Sequence, residues 1–112
     1  TWSYVPTSNR DITIASNVIR HIGKARLSDM GCIYVLGDSP QSFITGNVCS
    51  DVVTYSYGGN GLYTDQASRG YVFRNNIVHT VKCAPLLQHF GIDNVFENNV
   101  FAFPVQAAID TH

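Results

Sequence analysis

Four times along the chain an apolar residue stands three positions ahead of an asparagine that two apolar residues follow: Ile14 with Asn17, Val18 and Ile19; Ile44 with Asn47, Val48 and Cys49; Phe73 with Asn76, Ile77 and Val78; Phe96 with Asn99, Val100 and Phe101. The asparagines lie 30, 29 and 23 residues apart. A second apolar series, Ile33, Leu62, Leu86 and Ile109, runs out of phase with the first at intervals of 29, 24 and 23. Two independent landmarks that keep nearly one period mark a repeat architecture, in which each repeat buries its apolar face only by stacking on the next.

The repeating unit is built for strands. Val and Ile together number 21 against 5 Leu, and β-branched side chains fit the pleated strand while losing rotamer freedom in a helix. No segment carries a long helical stripe, so a crossover helix between parallel strands has no candidate. The chain is therefore expected to be all-β, a parallel β-helix in which equivalent residues of successive coils stack at roughly 4.8 Å. Repeats are placed near 9–30, 31–60, 61–84 and 85–106, with another coil beginning at 107–112. At the turns, Asn17, Asn47, Asn76 and Asn99 would tolerate left-handed backbone angles and form an internal amide ladder, a scaffold role. The first two intervals are longer, and the surplus is assigned to loops at 23–30 and 52–60; loops added on one side of a solenoid usually build its binding face.

Composition closes off other classes. With 45% hydrophobic and 13% charged residues and a net charge of -1, the chain matches one folded domain, not a disordered one, and its apolar stretches are too short and interrupted for a transmembrane helix. Lys and Arg are scattered singly, so neither nucleic acid nor a membrane is an expected partner. Three widely spaced cysteines, Cys32, Cys49 and Cys83, argue against a disulfide framework or a structural zinc site, though one pair could still bridge. The opening Thr1-Trp2-Ser3-Tyr4 has no initiator Met and no signal segment. Neither end carries a solenoid cap, so the sequence is expected to be a segment of a longer β-helix, with further coils of a parent chain as partners and open strand edges prone to associate.

Strand alternation then sorts the outer face into columns. With Ile33, Leu62, Leu86 and Ile109 inward, one outward column is Tyr34, Tyr63, Leu87 and Asp110; the next is Leu36, Asp65, His89 and His112. Stacking sets Asp65 beside His89, an acid and an imidazole able to exchange a proton with a bound molecule. Surface pairing on a solvated sheet is the plainer alternative. The loop residues Asp29 and Tyr57 flank the tyrosine column, and aromatic rings with adjacent carboxylates suit a sugar, whose C–H faces stack while its hydroxyls take the hydrogen bonds. Tyr-rich surfaces also serve protein binding. Asp93 is a turn residue first and a substrate contact second; His21 and His79 are given surface roles. A metal on His89, His112 and Asp65 is a weak alternative, and no cofactor-binding or Ser-nucleophile motif occurs.

The segments 28–37, 57–65 and 75–79, with 89–94 followed by 97–101, resemble right-handed parallel β-helix repeat proteins of the pectate-lyase-like superfamily, in particular β-helix glycoside hydrolases of the fucosidase and xylanase type. The resemblance spans roughly residues 9 to 103, and Tyr57-Gly58-Gly59 through Gly61-Leu62-Tyr63-Thr64-Asp65 is its most specific string. It implies right-handed coiling, an extracellular or periplasmic location and a carbohydrate-active enzyme with a polysaccharide or oligosaccharide in a cleft along one outer sheet. Asp29 and Asp65 take the place of the family's acidic residues and His89 that of its cleft histidine, with Tyr34, Tyr63, Tyr57, Asp93 and His112 as substrate contacts. Relatives often carry an acid where this chain has Gln66. A glycoside hydrolase is the leading expectation; a polysaccharide lyase and a non-catalytic glycan-binding or structural β-helix segment are the alternatives.

Overall fold

The computed structural model describes residues 3–112. Among them there is no helix, and every strand pairing is parallel. Strands β1 (Thr13–Ala15), β4 (Asp38–Thr45), β7 (Arg69–Arg74) and β10 (Val95–Glu97) form one four-stranded sheet. A second contains β2 (Val18–Ile22), β5 (Val48–Val52), β8 (Ile77–Val81) and β11 (Val100–Ala102), and a third β3 (Gly31–Val35), β6 (Asn60–Thr64), β9 (Leu86–Gln88) and β12 (Ile109–Thr111). Three parallel sheets visited in turn are consistent with a parallel β-helix or solenoid.

Both repeated landmarks set the register. Ile14, Ile44, Phe73 and Phe96 pair in sequence across the first sheet. Ile19, Cys49, Val78 and Phe101 do so across the second, and Ile33, Leu62, Leu86 and Ile109 across the third. These columns fill the interior: Ile44, Leu62, Phe73 and Val78 have no exposed surface, and the Phe73 and Phe96 rings stack 4.9 Å apart. A Cys32–Cys49 disulfide ties β3 to β5 through this core, leaving Cys83 as the free thiol.

The asparagine ladder is present. The side-chain Nδ2 of Asn17 donates to Oδ1 of Asn47 at 2.9 Å, that of Asn47 to Asn76 at 3.0 Å and that of Asn76 to Asn99 at 2.9 Å. Each backbone N–H of the first three donates to the same oxygen. The remaining Nδ2 protons reach backbone carbonyls of Ala15, Ile14, Ile44 and Phe73 at 2.9–3.0 Å. One expectation needs correcting. The left-handed residue is not the ladder asparagine but the residue before it: Ser16, Gly46, Asn75 and Asn98, with φ between 51° and 65°. The left-handed kink is placed there, and Asn47 and Asn76 lie buried beside the core instead of at the exposed corner. Between β3 and β4, Gly37 turns the chain at φ 78° and β4 begins at Asp38.

A central rung serves four partners, whereas the first serves two, so the two should differ sharply on deletion. Removing the Asn76 side chain leaves the Asn47 backbone N–H, one Asn47 Nδ2 proton and the Ile44 carbonyl without these bonds in a buried site, while Asn99 Oδ1 keeps the backbone N–H of residue 76; each loss is worth about 1–3 kcal/mol. Asn76→Ala is expected to lose roughly 3–5 kcal/mol in urea unfolding and Asn17→Ala about 1 kcal/mol. Equal losses would show that the ladder does not carry the register.

Candidate functional site

The third sheet carries the site. Tyr34, Tyr63, Leu87 and Asp110 pair across it as the repeat spacing requires. Just past the strand ends the backbone bonds continue, from Asp65 N to Val35 O, His89 N to Thr64 O and His112 N to Gln88 O, at 2.8–3.0 Å. Asp65, His89 and His112 therefore stand one above another. His89 Nδ1 donates to Asp65 Oδ1 at 2.7 Å, and the Tyr34 hydroxyl donates to Oδ2 of the same carboxylate. Asp65 is only 6% exposed, and a buried carboxylate is tolerated only when paired and hydrogen-bonded. The His112 ring lies edge-on to His89 at 5.8 Å, its Nε2 3.3 Å from Asp110.

The two long loops form the opposite wall because they pair with each other. Ala25 N donates to Val53 O, Tyr55 N to Leu27 O and Asp29 N to Tyr57 O, at 2.8–3.1 Å. Their approach depends on Gly58, whose φ is 73° and where a Cβ would come within 3.0 Å of the Asp29 backbone. From the following coil, Lys82 Nζ donates to the carbonyls of Thr54 and Ser56 and holds the outer loop down. The result places the Asp29 carboxylate 3.2 Å from the Tyr63 hydroxyl, which donates to it.

Between this wall and the sheet lies a cleft of about 510 Å³. Six of the residues expected in the site line it: Asp29, Tyr57, Tyr63, Asp65, His89 and His112. Tyr34, 39% exposed, is not among them; its ring lies 4.6 Å from that of Tyr63 and its hydroxyl donates to the lining carboxylate of Asp65. Asp93 lies apart, at φ 54° in a turn, paired with Arg69 at 3.1 Å. The outward column is less open than strand alternation alone implies. Tyr63 is 4% exposed, because the loop bearing Asp29 closes over it.

Sequence reasoning missed several lining residues, among them Asn60, Cys83 and Phe90. Asn60 is 1% exposed and its Oδ1 accepts from Ala84 N at 3.2 Å, while among the described residues Nδ2 has no partner. Its place in a Gly-Asn-Gly run reads only as a turn. Cys83 donates to Gln106 Oε1, and burial pushes its thiol pKa up, away from the reactive thiolate.

Burial, reinforced by the carboxylates of Asp65 and Asp29, raises both the Tyr34 and the Tyr63 phenol well above the usual 10.0. Both hydroxyls therefore remain donors across any physiological pH. Comparison with protein-family models, with curated proteins and with solved structures finds no match to this chain.

The raised phenols have a consequence for alkaline stability. The unfolded chain releases these protons near 10.0 while the folded chain keeps them, so stability is unaffected below that pH and falls as pH rises above it. The double variant Tyr34→Phe, Tyr63→Phe should show a shallower decline in urea-unfolding free energy above pH 10. An unchanged slope would mean that neither phenol is held protonated by the fold.

Proposed function

We propose that this chain is a carbohydrate-active, right-handed parallel β-helix of the pectate-lyase-like superfamily, of about four coils, and that its cleft hydrolyses a glycosidic bond in a polysaccharide or oligosaccharide. The observation that carries the reading is the convergence on one cleft of Asp29, Asp65 and His89 from successive coils, each carboxylate held by a tyrosine hydroxyl. Glycoside hydrolysis needs a proton donor and a carboxylate on either side of the scissile bond, and this cleft supplies both kinds of group. Tyr57, 63% exposed at the cleft mouth, offers a ring face for a sugar to stack on.

Hydrolysis is favoured over elimination by the charge of the walls. A lyase acting on a uronate normally neutralises the substrate carboxylate with a cation, whereas the residues lining the cleft include two carboxylates and no Lys or Arg. A neutral glycan fits this charge better than an acidic one. The Cys32–Cys49 bridge favours an extracellular or periplasmic setting, because disulfides persist in oxidising compartments.

The test is a panel of neutral and acidic polysaccharides in which reducing-end release and unsaturated-product absorbance are followed together. Hydrolysis predicts reducing ends without unsaturation on a neutral glycan, and a fall of about a hundredfold or more in kcat for Asp29→Asn. Unsaturated product would replace this reading with elimination. Glycan binding without any product would replace it with a module that holds sugars.

A further inference from the structure

The hydrogen-bond pattern around Asp65 divides labour between the two residues differently from a carboxylate that attacks or protonates substrate itself. Both oxygens are occupied, Oδ1 by His89 Nδ1 at 2.7 Å and Oδ2 by the Tyr34 hydroxyl, and the side chain is 8% exposed against 31% for His89. An acid whose oxygens are both engaged and which solvent barely reaches is badly placed to touch a sugar. The imidazole meets the requirements. It lines the cleft, its Nδ1 is committed to a buried carboxylate that serves as countercharge, and its Nε2 is not used by that bond. A ring anchored through Nδ1 to a buried acid has its tautomer and orientation fixed for work at the other nitrogen.

We infer that His89 Nε2 is the proton-handling atom of this cleft and that Asp65 is a positioning residue, with Tyr34 locking Asp65 in place. The inference rests on the hydrolytic reading above. Imidazolium His89 gives its Nε2 proton to the glycosidic oxygen as the bond from that oxygen to the anomeric carbon breaks. Water forms the new bond to that carbon and passes its proton to the Asp29 carboxylate; both groups then return to their starting states by exchange with solvent. Atoms and charge balance with water as the only co-reactant. The other groups facing the ring are His112, edge-on and tied to Asp110, and the apolar Phe90, whose ring centre lies 4.5 Å away. Asp29 and Cys83 share the cleft.

Two measurements test this, and the first needs no substrate. Nitrogen-15 NMR of the histidine rings in the 112-residue chain should find the neutral His89 ring protonated at Nδ1, with Nε2 the nitrogen that titrates; in Asp65→Asn the Nδ1–H preference should weaken. A wild-type ring carrying its neutral-state proton on Nε2 overturns the inference, whatever the chain's activity. The second uses a glycan that the wild type cleaves. His89→Gln should lower kcat by about a hundredfold or more and abolish the alkaline limb of its pH profile, whereas Asp65→Asn should lose less and keep the limb. Near-normal kcat in His89→Gln beside a dead Asp65→Asn would return the proton to Asp65 and overturn the inference while hydrolysis stands. If the panel yields no hydrolysis, that failure falls on the hydrolytic reading, and the NMR result still decides the role of Nε2.

Discussion

The fold depends on a polar interaction inside an apolar stack. The central ladder amides, Asn47 and Asn76, are buried beside the core, where an unsatisfied donor or acceptor costs about 1–3 kcal/mol. Each central asparagine meets that demand only when the next coil presents its own asparagine at the same height. A slip of one residue would turn the inward Ile, Val and Phe of a strand outward, and in the ladder it breaks four hydrogen bonds at once. Register is therefore fixed jointly by Asn17, Asn47, Asn76 and Asn99 and by the apolar columns beside them, which also supply the bulk stability.

Register then becomes chemistry. Asp65 and His89 are 24 residues apart in sequence, yet their side chains meet at 2.7 Å because each follows a strand of one sheet by the same step. The carboxylate is bonded by His89 and Tyr34, the Tyr34 ring lies against Tyr63, and the Tyr63 hydroxyl reaches Asp29 on the facing loop. The Gly58 turn and the Lys82 clamp hold the two loops of that wall together. The site is thus a property of successive coils held at one spacing.

Much of this was legible in the sequence. The period gave the pairing of Ile14 with Ile44 and of Ile33 with Leu62, the tyrosine column and the proximity of Asp65 to His89, because strand period and coil spacing are rigid quantities. Side-chain targets beyond one column were not legible. That the Tyr34 and Tyr63 hydroxyls turn to carboxylates depends on how the 23–30 loop folds, and no periodicity governs a loop. Cys32 and Cys49 lie on different sheets and in neither repeated column together, so their bridge left no mark in the spacing. That the left-handed residue stands one place before each asparagine was not legible, because Ser16, Gly46, Asn75 and Asn98 share no single residue type. Asn60 went unnoticed because a buried amide and an exposed turn amide look alike in a Gly-Asn-Gly string.

The most direct test of the account is a crystal structure of the chain with an oligosaccharide fragment of its best glycan. The account predicts the sugar in the cleft between the 52–60 loop and His89, with a glycosidic oxygen within hydrogen-bond reach of His89 Nε2 and the anomeric carbon turned toward Asp29. A ligand seated on another sheet, or one in the cleft that bonds directly to Asp65 with His89 turned away, would contradict it.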